Sequence, residues 1–251
     1  MSTALPRPEH PNPQWMRSTW QNLNGSWEFE IDPGASALDR RRYASNEPLS
    51  NRILVPFCPE SALSGIGQTD FMDAVLYRRR FTISKEALCG LVYLHFGAAD
   101  YQTHVFVNGA PAGTHTGGYD SFCFEISALL HAGENTLFVA VFLYIVLGTD
   151  AFAAFAAIQG NLGCDNCTLN FDDTARLTLA TRFYYTRTTG IWQTVWLEMT
   201  PRAHILYARY EPDVSNGALT VRGAVCGAGT LTIEASYEGR PMGRQSLRCT
   251  G

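Results

Sequence analysis

Basic residues are scarce in this sequence: 19 Lys and Arg stand against 23 Asp and Glu, a formal net charge of −4. Binding of nucleic acid by counterion release needs a dense basic surface, so neither nucleic acid nor another polyanion is an expected partner. Long apolar runs are lacking too. The longest, Phe142 to Ile158, is interrupted by Gly148, Thr149 and Asp150 and falls short of the ~20 residues that cross a bilayer, so no membrane partner is expected. The first seventeen residues hold four prolines and no apolar h-region, which argues against a secretory leader and for a cytoplasmic location. Seven cysteines in 251 residues are too few for a disulfide framework, and an odd number cannot all pair within one chain. Cys164 and Cys167 have the spacing of a metal hook, but structural zinc takes four ligands and no second hook or histidine pair follows. Idle or buried thiols are the better reading. No glycine-rich loop links a strand to a helix, and none of the six histidines stands near Ser or Cys in a nucleophile motif, so neither a metal nor a nucleotide cofactor is expected.

What the chain has is alternation. With 46% hydrophobic residues it can bury one substantial core. From Trp27 to Val225 apolar and polar residues alternate with period two, and Gly, Pro or Asn clusters separate the runs, which predicts a β-sandwich. Tyr101, Thr103, Val105 and Val107 fall on one face and Gln102, His104 and Phe106 on the other. Asn108-Gly109 then supplies the positive φ angles of a two-residue type I′ turn. Phe122 to Ile126 and Thr136 to Val141 read as further strands, with Ser127 expected to cap a short turn between them. Beyond Pro201 a new set begins, His204 to Tyr210, Ala218 to Val225 and Thr230 to Tyr237. The Ala-rich stretch Ala151 to Ile158 is expected to form a short helix.

Four phrases, in order, carry a family resemblance: Trp20-Gln21-Asn22-Leu23-Asn24-Gly25-Ser26-Trp27; Val55-Pro56-Phe57-Cys58-Pro59 before Tyr77-Arg78-Arg79-Arg80-Phe81; Val105-Phe106-Val107-Asn108-Gly109 with Gly117-Gly118-Tyr119-Asp120; and Thr189-Gly190-Ile191-Trp192-Gln193-Thr194-Val195-Trp196. Together they resemble the N-terminal domain of glycoside hydrolase family two, the β-galactosidase and β-glucuronidase group. The resemblance implies an all-β chain: a jelly-roll sugar-binding sandwich over residues 15–200 after an extended segment 1–14, then an incomplete immunoglobulin-like sandwich over 201–251. That last part is short, because an immunoglobulin-like sandwich takes ~100 residues and about seven strands. It also implies that the two glutamates of a retaining glycosidase lie on a barrel that these residues do not supply, so the chain is expected to be inactive alone. The resemblance lapses between Phe142 and Phe183.

Sugar binding needs a flat aromatic face against pyranose C–H groups and carboxylates or amides for the hydroxyls. Tyr119 and Asp120, on the Gly117-Gly118 loop, are the leading exposed pair, and Trp15, Trp20 and Tyr184 are further platforms. Asp73, Glu60 and Asp70 lie before Tyr77, where they are expected to meet Asp120 at one rim. Arg187 can grip a carboxylate with its planar fork, either across the rim or in an internal ion pair. Tyr184 occupies the position where family members often carry an acid. Trp27, Trp192 and Trp196 are expected to fill the core, and Asn46-Glu47-Pro48 to be a surface turn. The expected ligand is a carbohydrate, a β-galactoside or β-glucuronide. A stand-alone carbohydrate-binding or interaction module is the second reading. Self-association is open in two forms, a defined homo-oligomer or contact through the short second domain.

Overall fold

The computed structural model describes residues 5–143, 168–171, 177–180 and 188–250. The expected Ala-rich helix, the Cys164–Cys167 pair, Tyr184 and Arg187 lie outside them. Among the described residues there is no α-helix, and every strand pair is antiparallel. The strands run β1 (Trp20–Asn22), β2 (Gly25–Ile31), β3 (Asn51–Val55), β4 (Ala74–Ile83), β5 (Leu91–Phe96), β6 (Ala99–Asp100) and β7 (Gln102–Val107). Next come β8 (Ala110–Thr116), β9 (Phe122–Glu125), β10 (Gly133–Phe142), the hairpin of β11 (Thr168–Phe171) and β12 (Leu177–Ala180), then β13 (Gly190–Ile191) and β14 (Val195–Thr200). After Pro201 follow β15 (His204–Asp213), β16 (Ala218–Cys226), β17 (Ala228–Tyr237) and β18 (Arg240–Thr250).

A six-stranded sheet in the order β3-β2-β4-β10-β7-β8 faces a four-stranded sheet in the order β1-β14-β5-β9. Alternate residues of each sheet meet between them: Trp27, Phe29, Tyr77, Phe81, Leu137 and Val139 from one, Val92, Leu94, Phe96, Val195 and Leu197 from the other, all buried. Trp27 keeps its polar edge satisfied by donating Nε1–H to the Leu23 carbonyl at 2.8 Å. The central strands β4 and β10 are buried on both faces, because the segment around Ala37 and Leu49 covers Leu76, Phe138, Ala140 and Phe142 on the outer side. That is why Ala74 to Arg78 shows no alternation in burial.

Local expectations are met where the backbone chemistry is specific. Asn108 (φ 52°) and Gly109 (φ 78°) form the positive-φ turn between β7 and β8, and Thr103, Val105 and Val107 are the buried face of β7. Ser127 departs from expectation. It starts a one-turn 3₁₀ segment, Ser127–Leu129, but Ile126 takes the cap position and the Ser127 hydroxyl accepts the Val92 amide at 2.7 Å. Glu47 is a surface residue, as expected, ion-paired with Arg42 at 3.0 Å.

The strands after Pro201 pair only with each other, β15 with β16 and β17 with β18, in two long hairpins. They form an all-β part that follows the sandwich. Arg17 ties them to the first unit, donating Nη2–H to the Ile205 carbonyl at 2.6 Å and Nε–H to Glu198 at 3.0 Å.

Candidate functional site

The ladder places one set of loops at one end of the six-stranded sheet. Gln102 pairs with Phe142 and with Thr116, and Phe142 pairs with Ala74. The residues just outside those pairs, Asp73, Asp100-Tyr101 and Gly117, therefore crowd that end. The short β13 crosses there, Gly190 opposite Asp100 and Ile191 opposite Ala99.

Glycine makes the crowding feasible at two positions. A Cβ on Gly190, whose φ is +69°, would lie 2.2 Å from the Tyr77 hydroxyl, so only glycine lets the signature segment pass over that phenol. The Ile191 amide then donates to Tyr77 Oη at 3.2 Å. A Cβ on Gly118 would lie 2.7 Å from Asp100 Oδ1, and its absence lets the Gly117-Gly118 turn sit directly on that carboxylate. The Gly118 carbonyl accepts Trp192 Nε1–H at 2.8 Å, which fixes the indole beside the turn. Tyr119 packs its ring edge-on to Trp192, centroids 5.6 Å apart, and stays 80% exposed.

Beneath the turn the electrostatics are acidic. Glu60 is buried and committed: Oε2 accepts the Thr189 amide at 3.1 Å and Oε1 accepts the Thr189 hydroxyl. Asp100 is half-buried, and burial, followed by the charge of Glu60, pushes its carboxyl above the usual carboxylate range. Burial likewise pushes the Tyr77 phenol far above its ordinary value, against the Ile191 amide, which stabilises the phenolate form. A carboxylate held this way is a strong acceptor for a hydroxyl donor. The rim thus offers one exposed aromatic face, a half-buried indole and the acids Asp100 and Asp120, the latter exposed beside Gly117.

Of the expected site residues, Tyr119 and Asp120 come together here. Asp73 lies at the base of β4, its carbonyl accepting the Leu143 amide at 2.9 Å. Glu60 sits under the rim and orients Thr189. Trp192, expected in the core, is half-buried at the rim, because its indole N–H must reach the Gly118 carbonyl. Trp27 and Trp196 are core residues, as expected. Trp20 packs against His10, ring centroids 4.7 Å apart, at the far edge of the smaller sheet. Asp100 was not anticipated. The signal for it is its place just before β7, opposite the signature glycine, which only the strand register reveals.

Residues 66–153 match the model of the family described as glycosyl hydrolases family 2, sugar binding domain. Two proteins of Formosa agariphila, each described as a putative beta-glucuronidase, are 37% and 32% identical to this chain over 65 residues. Those matches cover 26% of this chain and 6% and 8% of the relatives. Among solved structures, the beta-glucuronidase of Ruminococcus gnavus superposes with a TM-score of 0.70 over 93% of this chain at 16% identity. That of Lactobacillus rhamnosus does so with 0.69 over 92% at 19% identity. These superpositions speak for the fold. This chain spans 39% and 37% of those two structures.

Proposed function

We propose, from a chain that is an N-terminal region of glycosyl hydrolase family 2, that its rim at Asp100, Tyr119, Asp120 and Trp192 binds carbohydrate and assists glycoside hydrolysis without breaking the bond itself. The observation that carries this reading is an 80% exposed Tyr119 ring on the Gly117-Gly118 turn, with the half-buried Asp100 carboxylate of β6 directly against Gly118. The ring stacks on C–H groups and the carboxylates take hydroxyls. Retaining hydrolysis needs two free carboxyl groups about 5 Å apart. Glu60, the acid that acts on Asp100, has both oxygens engaged by Thr189, so this pair does not meet that need.

The acidity of the rim also bears on the sugar. Asp100 and Asp120 accept hydroxyls from a galactoside or a glucuronide alike, but they repel a uronate carboxylate, which must then point away from this turn. The substrate of the whole protein is a β-glycoside, with a glucuronide favoured by the names of the similar proteins. Calorimetric titration with methyl β-galactoside and methyl β-glucuronide tests the reading. Millimolar binding lost in Tyr119→Ala and in Asp100→Asn supports it. Hydrolysis of nitrophenyl β-glycosides by this chain, abolished by Glu60→Gln, overturns it.

A further inference from the structure

We propose that the start of β2 carries an oxyanion site, formed by Arg52 and Arg79, for a doubly charged oxyanion, inorganic sulfate or a phosphate group. Across β3, β2 and β4 the register aligns Arg52, Glu28 and Arg78. Glu28 is already engaged: Oε2 accepts from Arg78 Nη1 at 3.3 Å and from the Leu49 amide at 3.1 Å. Arg52, although directly opposite Glu28, turns instead to Ser26, donating Nε–H to its hydroxyl at 2.9 Å. Arg79 reaches the same residue from the other face of β4. Its guanidinium lies 6.0 Å from the centroid of the Trp27 ring, and Nη1 donates to the Ser26 carbonyl at 2.9 Å.

Two guanidinium groups therefore anchor on one serine, and among the described residues neither has a carboxylate within 4.0 Å. The buried Nε–H of Arg79 has no acceptor. Burial, then the charge of Arg52, lowers the proton affinity of Arg79. The pair opens on a groove of about 410 Å³ walled also by Arg78 and Arg80, where Glu28 is the sole acid. Neighbouring like charges raise each other's energy, and a ligand that neutralises both removes that repulsion. A monocarboxylate neutralises one. A dianion neutralises both, and its oxygens suit two planar forks at once.

The test titrates inorganic sulfate into this chain, with sodium chloride at matched ionic strength as control, reading the melting temperature and the amide resonances of Gly25 and Ser26. A saturable, sulfate-specific response is expected, weakened about tenfold in Arg52→Gln. Arg52 is exposed on the edge strand β3, so this change leaves the core untouched. Arg52→Glu removes one cation of the pair and sets a carboxylate opposite Glu28; it is expected to abolish the sulfate response. Equal responses to sulfate and chloride, or a sulfate response unchanged in both variants, overturn the proposal. Glucose 6-phosphate, close to a dianion at about pH 7.5, run beside the free ions, separates the sources. Tighter binding of the ester assigns the site to a phosphorylated sugar and equal binding to the free oxyanion, and either result upholds it.

Discussion

Glu198 is the acid whose removal reports most directly on how the units are joined. It lies on β14, 6% exposed, with Arg17 Nε at 3.0 Å, His10 Nε2 at 3.4 Å and His95 Nε2 at 3.5 Å. Burial alone would raise its pKa, but His95 and Arg17 overcome that and bring it from 4.5 down to about 2. A folded-state pKa below the unfolded one gives stability that is present above the unfolded value and lost as pH falls through the folded value. The drop from 4.5 to about 2 corresponds to roughly 3 kcal/mol at ~1.4 kcal/mol per pH unit. Glu198→Gln should therefore reduce stability at pH 7 by about 2–3 kcal/mol, with Arg17 partly rehydrated because it is 22% exposed. Between pH 4.5 and about 2 the wild type should lose this advantage, and near pH 2 the two proteins should unfold alike. Urea titrations followed by tryptophan fluorescence at a series of pH values measure the difference. A gap between the curves that stays constant from pH 7 to pH 2 would refute the reasoning.

Three further outcomes follow from single contacts. Gly190→Ala places a Cβ against the Tyr77 hydroxyl at a φ of +69°, and should lower unfolding free energy by about 3 kcal/mol or more in urea. Asn135 is 1% exposed, its Oδ1 accepting from Asn108 Nδ2 at 2.8 Å and the His131 amide at 3.0 Å, its Nδ2 donating to the carbonyls of His131 and Gly133. Asn135→Ala leaves those groups unpaired and should reduce stability by about 2–3 kcal/mol, seen as a lower urea midpoint with an unchanged slope. Tyr119→Ala, at an 80% exposed position, should leave the melting temperature within about 2 °C of wild type while removing the sugar response.

Strands were legible where one face is buried and the other wet. Period-two alternation marks β7 because its Thr103, Val105 and Val107 face the core while Gln102, His104 and Phe106 are at least partly exposed. It fails on β4 and β10, where a long connection covers the second face, so burial there follows coverage rather than strand period. Turn residues were legible when a backbone angle demands them, as at Asn108-Gly109, and less so when a side chain has competing partners. Ser127 has the composition of a helix cap, yet the Val92 amide reaches its hydroxyl first.

The site divides along the same line. Tyr119 and Asp120 are readable from sequence because a glycine turn projects them outward, a property of four adjacent residues. Asp100 and Trp192 are not, because their roles come from pairing across 90 positions, Asp100 with Gly190 and Trp192 with the Gly118 carbonyl 74 residues away. Charge behaves in the same way. A formal net charge of −4 excludes a uniformly basic surface, but it is a sum, and sums discard position. The fold gathers the acids Glu60 and Asp100 beneath one rim and the arginines 52, 78, 79 and 80 into one groove, and Asp100, Arg78 and Arg79 feel those neighbours as a chain average cannot show. A surface acidic on average can therefore carry a site for an anion, because at the ~8 Å screening length of physiological salt a ligand senses its immediate neighbours and little else.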